Sequence, residues 1–232
     1  MLNRKQALNK ALEIIEDNER QCKMVITPNP EIIMLARKDK ELAEIMDKAD
    51  MVIPDGVGVV WASKYAKYKL EENVPGCDLC YSLFEKATEK GFSAYILGAK
   101  PTVAEQAKTN MEEKYPGLVI CGVRDGYFGD EDEQGIIDEI NNLKPDILLA
   151  GLGVPRQEKW LYKYRAELNV NIAIGCGGSI DVMAGTVKRA PLIFQKLGME
   201  WFYRLISQPS RIFRMIELPK FVFAVLLNKL KG

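Results

Sequence analysis

Six short apolar segments constrain this chain more than any other feature, because each is followed by a glycine-, proline- or acid-bearing turn and then a helical pattern. They are Met24–Ile26, Met51–Ile53, Ala94–Leu97, Leu118–Cys121, Ile147–Ala150 and Ile172–Ile174. Runs of that length, rich in Val, Ile and Leu, read as strands buried on both faces. Ala7, Leu8, Ala11, Leu12 and Ile15 fall on one stripe of a helix over 2–18. Helical pattern also covers about 30–48, 57–68, 77–90, 101–114 and 130–143, and runs from the turn after Ile147–Ala150 to about Leu168. Such alternation with short connections predicts an α/β fold: a Rossmann-like, mostly parallel sheet with helices on both faces. In sheets of this kind ligands bind beyond the carboxyl ends of the strands. The unusual residues gather there: Thr27 and Asn29, Asp55, Gly98, Asp125 and Tyr127, Gly151 to Gln157, and Gly175 to Gly178. One composite site assembled from six loops is therefore expected.

The sheet pattern ends after Asp181-Val-Met-Ala-Gly185, so the sequence divides into an α/β domain, 1–185, and a helical C-terminal appendage, 186–232. The appendage carries nine Lys/Arg against two Asp/Glu, a net +7, although the whole chain is formally neutral. A basic tail on an acidic body points to an anionic partner for the tail: phosphate, a lipid headgroup or nucleic acid. The balanced charge of the whole argues against a nucleic-acid-binding surface covering the protein, and no nucleic-acid partner is expected. Phe221–Leu227 is an unbroken apolar run with Lys220, Lys229 and Lys231 around it. It is too short to span a bilayer and suits an interfacial anchor, a contact with a second copy of the chain or a core contact. No apolar stretch follows Met1-Leu-Asn-Arg-Lys5, so no signal peptide is expected. An odd count of five cysteines suggests a reducing compartment. With no histidine, His-based triads and His metal sites are excluded.

At the turn Pro54-Asp55-Gly56-Val57-Gly58 the proline ends a strand, and the glycines let the backbone bend and approach a ligand. Asp55 is there either as a helix N-cap or as a chemical group. Gly151-x-Gly153 and Gly175-x-Gly177-Gly178 follow strands and precede helices, where backbone N–H groups hold phosphate well. Neither completes G-x-G-x-x-G, and no Walker A lysine motif exists, so diphosphate binding of another type is the reading. Gln157 stands in the first turn of the helix beside these loops. Tyr127 is either a turn anchor or a face for a nucleobase. Asp130-Glu-Asp132 resembles a metal-binding triplet but stands where the helix dipole favours acids anyway. Cys77-x-x-Cys80 lacks the surroundings of a redox motif. Arg204, Arg211 and Arg214 have helical spacing that aligns them either as a solvated face or as a phosphate clamp.

Taken in order, Thr27-Pro-Asn-Pro-Glu31, Pro54-Asp-Gly-Val-Gly58, Asp125-Gly-Tyr-Phe128, Gly151-Leu-Gly-Val-Pro-Arg-Gln-Glu-Lys-Trp160, Gly177-Gly-Ser-Ile-Asp181, Lys188-Arg-Ala-Pro191 and Glu200-Trp-Phe-Tyr-Arg204 resemble the WecG/TagA/CpsF family of bacterial glycosyltransferases. The resemblance covers nearly the whole chain. It is strongest to the N-acetylmannosaminyltransferases that build the wall teichoic acid linkage unit. It implies transfer of N-acetylmannosamine from a UDP donor to undecaprenyl diphosphate N-acetylglucosamine, with inversion to a β-1,4 linkage. Asp55 then matches the family's base, and Thr27, Asn29 and Gln157 match its donor-sugar pocket. No metal or other cofactor is implied. Chemistry adds roles: Gly151, Gly153, Gly177 and Gly178 hold the departing diphosphate, aided by the tail arginines, and Tyr127 and Asp181 contact uracil and ribose. The expected location is the cytoplasm, peripherally attached to the inner face of the cell membrane through the appendage.

Two features depart from the family pattern. Asn73 stands where arginine is expected, and the chain begins inside the family's first helix, without an initial strand. Competing readings are a related transferase using UDP-glucose or UDP-N-acetylmannosaminuronate, and a non-catalytic nucleotide-sugar-binding membrane scaffold.

Overall fold

In the computed structural model, residues 3–17, 19–66, 69–207, 209 and 212–229 are described. Six strands form one all-parallel sheet: β1 (Lys23–Ile26), β2 (Met51–Val52), β3 (Ser93–Gly98), β4 (Val119–Arg124), β5 (Ile147–Gly151) and β6 (Ile172–Gly175), in the order β2-β1-β6-β5-β3-β4. Successive strand side chains point to opposite faces, and both faces are covered. Val25, Ile96, Ile147, Leu149 and Ile174 pack on one face with α1 (Arg4–Glu16), α5 (Gly76–Lys90), α6 (Val103–Lys114) and α9 (Ser179–Met183). Met24, Ile26, Tyr95, Leu97, Leu148 and Ala173 pack on the other with α3 (Lys40–Asp47), α7 (Glu133–Leu143) and α8 (Arg156–Tyr164). The sheet, its parallel sense and the helices on both faces agree with the sequence pattern.

The element bounds differ in instructive ways. The helical stretch expected over 30–48 is two helices, α2 (Pro30–Ala36) and α3, because Asp39 breaks the run and its side chain caps α3 through the Leu42 N–H, 3.1 Å away. The helix expected over 57–68 is the shorter α4 (Val57–Ser63), and the one expected to reach Leu168 stops at Tyr164. β2 ends one residue earlier than its apolar run, whereas β4 continues three residues past Cys121.

Beyond residue 186 the chain forms α10 (Leu192–Lys196), α11 (Glu200–Ser207), α12 (Ile212–Met215) and α13 (Glu217–Lys229). The last of these lies against α2 and α4. Lys38 of the sheet-bearing part donates to Glu217 at 3.3 Å, and Phe221 is buried. Leu192, Ile193, Leu197, Ile206 and Phe223 stay exposed. Among the described residues no helix is long and apolar enough to cross a membrane.

Where β3 and β5 pair at their carboxyl ends, Gly98 opposite Gly151 leaves no space for a side chain. Gly98 has φ +138°, and a Cβ there would stand 2.4 Å from the Gly151 carbonyl oxygen. Gly98→Ala combines backbone strain with a backbone clash, and should lower unfolding free energy by about 2–4 kcal/mol in urea denaturation.

Candidate active site

All six strands open into one cleft of about 1210 Å³ at their carboxyl ends. Its lining comes from Thr27 and Asn29 after β1, Asp55 after β2, Ala99 and Lys100 after β3, Gly126 to Phe128 after β4, Gly151 to Val154 with Arg156 and Gln157 at the end of β5, and Cys176 to Ser179 with Asp181 after β6. The cleft exceeds the volume typical of sites for one small molecule. Glu200, Trp201, Arg204, Met215, Leu218 and Val222 form a further wall, so the C-terminal helices are part of the cleft.

Asp55 is the central acid. The helix after it starts at Val57 with Gly56 in the cap position and no side-chain cap, so the N-cap reading of Asp55 is wrong. The carboxylate instead reaches the start of α5, accepting from the Gly76 N–H at 3.4 Å. Asn73 shapes the same turn: its Oδ1 accepts from the Gly56 N–H at 2.5 Å. Asparagine here fixes the backbone beside the acid, a role the sequence did not disclose. Burial pushes Asp55 up to about 6, against the pull of the Gly76 N–H and the Arg204 charge, with Glu200 and Asp78 adding to the rise. A carboxylate in that range is a better proton acceptor at neutral pH than an ordinary aspartate.

The turns after β1, β5 and β6 are tied together by hydrogen bonds. Thr27 donates its hydroxyl to the Gly175 carbonyl at 3.1 Å. Asn29 caps α2 through the Ile32 N–H at 3.0 Å while still lining the cleft. Gln157 is not an exposed helix-start residue. It is 2% exposed, follows the cis Val154–Pro155 bond, and accepts from the Gly177 N–H at 3.2 Å. That N–H is therefore engaged by Gln157 in this state. Gly151, Gly153, Gly177, Gly178 and Asp181 all line the cleft as expected. Tyr127, 68% exposed, stands at its edge, and its N–H is held by Asp125 Oδ1 at 2.8 Å. Arg156 fastens this loop to α8, donating to the Gly126 and Phe128 carbonyls at 2.7 and 2.9 Å and stacking on the Phe128 ring.

Of the three tail arginines, Arg204 lines the cleft; Arg211 and the side chain of Arg214 lie outside the described residues. Two charged residues were missed as site residues. Arg189 lines the cleft, forms a close ion pair with Asp78 and stands 3.7 Å from Glu200, joining α5 to α11. Glu158, 1% exposed, accepts from Gln157 Nε2 at 2.8 Å. The signal for both was their setting inside ordered motifs, Arg-Ala-Pro and Gln-Glu-Lys-Trp, rather than their chemistry. The acidic triplet lies away from the cleft lining. Asp130–Asp132 is one 3-10 turn whose Asp132 caps the Gly129 N–H at 3.1 Å, and among the described residues no three His, Cys, Asp or Glu side chains are gathered to hold a metal. Burial pushes the Cys77 thiol up to about 12, and a hydrogen bond to Cys176 together with burial raises Cys80. Thiols held protonated are poor nucleophiles, so the Cys-x-x-Cys pair packs rather than reacts.

A parallel α/β sheet thus gathers a buried, raised carboxylate and several glycine turns at its carboxyl edge. The chain belongs to the WecG/TagA/CpsF family of glycosyl transferases, whose family model matches residues 1–232. It is 38% identical over 205 residues to a Bacillus spizizenii protein named N-acetylglucosaminyldiphosphoundecaprenol N-acetyl-beta-D-mannosaminyltransferase, covering 88% of this chain and 79% of that one. A Bacillus subtilis protein of the same name is 36% identical, with 88% and 78% covered. A Staphylococcus aureus protein of that name is 34% identical, with 89% and 81% covered.

Proposed function

We propose that this chain transfers N-acetylmannosamine from UDP-N-acetylmannosamine to the N-acetylglucosamine of an undecaprenyl-diphosphate acceptor, inverting the anomeric centre. The observation that carries the reading is the Asp55 carboxylate, raised toward neutrality in a cleft shared by phosphate-type turns and the Arg204 side chain. The names of relatives spanning most of the chain supply the sugar and the acceptor.

In this mechanism Asp55 takes the proton from the acceptor hydroxyl as its oxygen bonds to the anomeric carbon. The bond from that carbon to the diphosphate oxygen breaks, and its electron pair leaves with UDP. Backbone N–H groups of the glycine turns and Arg204 stabilise the charge that develops on the diphosphate. Thr27, Asn29 and Gln157 hold the donor sugar, and Tyr127 and Asp181 hold the nucleoside. The exposed apolar residues of α10 to α13 meet the lipid surface that carries the acceptor, on the cytoplasmic side.

The test is UDP release from UDP-N-acetylmannosamine with a short-chain polyprenyl-diphosphate N-acetylglucosamine. Release should require the acceptor and persist in a chelator. UDP binding without acceptor-dependent release would favour a nucleotide-sugar-binding scaffold instead, and release from UDP-glucose alone would shift the donor assignment.

A further inference from the structure

Glu158 is a buried acid that the proposed chemistry does not use. It follows Gln157 on the first turn of α8, does not line the cleft, and its Oε2 has no hydrogen-bond partner among the described residues. Burying a carboxylate with one bare oxygen is costly, so its position calls for a compensating role. Its Oε1 accepts from Gln157 Nε2 at 2.8 Å in a fully buried contact.

That contact decides which way the Gln157 amide points. An amide has a donor end and an acceptor end, and its neighbours select one orientation. Here Nε2 faces the Glu158 acceptor and Oε1 faces the Gly177 N–H at 3.2 Å. Flipping the amide would set oxygen against carboxylate and N–H against N–H. The strand end leaves the amide little freedom besides: a Cβ on Gly175 would lie 3.0 Å from Gln157 Nε2. The same Gly175 carbonyl takes the Thr27 hydroxyl. Glu158, Gln157 and Gly177 thus form a chain of bonds from the helix interior to the turn after β6.

We infer that Glu158 is a positioning residue: it holds the Gln157 amide in one orientation, and through it the 175–178 turn that receives the donor. The inference rests on the proposed role of Gln157 at the donor sugar. It concerns an acceptor atom, not a charge in the cleft, so a neutral residue that keeps an oxygen at that point should serve.

The experiment compares Glu158→Gln, which keeps the acceptor, with Glu158→Met, which keeps the length and loses it. Two readouts are taken. In the UDP-release assay, Glu158→Met should raise the donor KM about tenfold to thirtyfold, as expected when a buried amide donor is left without its partner, with the acceptor KM unchanged. In amide hydrogen exchange, the Gly177 N–H should exchange faster by about the same factor. Glu158→Gln should restore both to within about threefold of wild type, given the modest net value of such a bond. Wild-type donor KM and Gly177 exchange in Glu158→Met would overturn the inference, and so would a Glu158→Gln variant as impaired as Glu158→Met. If Glu158→Met does not fold, Glu158→Asp keeps the charge but falls a methylene short, and the same two readouts decide. If wild-type protein releases no UDP, the proposed function fails, while the exchange comparison still judges Glu158.

Discussion

Asp55→Ala is expected to lower kcat by about 10²–10⁴, the range general-base removal produces, while UDP affinity stays within about threefold. The carboxylate sits after β2 with Gly76 as its hydrogen-bond donor, and burial raises it to about 6. Two pH effects follow with opposite signs. As a base, Asp55 works only when ionised, so wild-type kcat/KM should climb through about pH 6, and Asp55→Asn should lack that limb as well as the rate. As a buried charge, Asp55 costs stability. Its folded value lies above the ordinary 3.8, so the folded state prefers the protonated form; that preference is fully present below about 3.8 and lost as pH rises through about 6. Asp55→Asn should therefore be more stable than wild type at pH 7.5, by on the order of 1 kcal/mol once solvent screening of a partly accessible group is allowed for, and equal to it near pH 3.8. Stability gained and turnover lost at one position is the signature of a desolvated catalytic base.

The second large effect is expected from the C-terminal helices. Removing residues 191–232 takes away the wall formed by Glu200, Trp201, Arg204, Met215, Leu218 and Val222. Transfer to the lipid acceptor should fall below detection, and because the lost wall includes Arg204, UDP release with a water-soluble acceptor should fall too, by about 10²-fold. Loss confined to the lipid acceptor would mean that the helices serve membrane docking alone. Full activity would end the proposal that they complete the site. Arg204→Ala separates the two contributions. It keeps the apolar surface, removes the cation that holds Asp55 down, and should move the acid limb of the rate upward in pH. Docking on a lipid surface would then bring the acceptor to a cleft that α11 already walls.

The sheet was legible because its signal is local. Val25, Ile96 and Ile174 face one layer and Met24, Tyr95 and Ala173 the other, and such alternation within an apolar run needs nothing from afar. Convergence of the loops followed from the parallel order and held for all six strands. Helix ends were harder. The break before α3 depends on one capping bond from Asp39, a residue type equally at home inside a surface helix. The site's polar bonding was least legible, because its partners are distant in sequence. Gln157 is buried by a turn 20 residues on, and Thr27 by a carbonyl 148 residues on. Nothing in the chemistry of Gln157 or Glu158 as residue types separates them from an ordinary polar first turn. Asp55 shows the same limit in reverse: its position suggested a helix cap, and the backbone gave that place to Gly56.

The most direct measurement is the identity and anomeric configuration of the product. Wild-type enzyme, UDP-N-acetylmannosamine and a short-chain polyprenyl-diphosphate N-acetylglucosamine should yield an acceptor heavier by one N-acetylhexosamine. The one-bond carbon–proton coupling at its new anomeric centre should report a β linkage, as direct displacement assisted by Asp55 requires. An α-linked product, or a β-linked product formed equally fast by Asp55→Ala, would contradict the account.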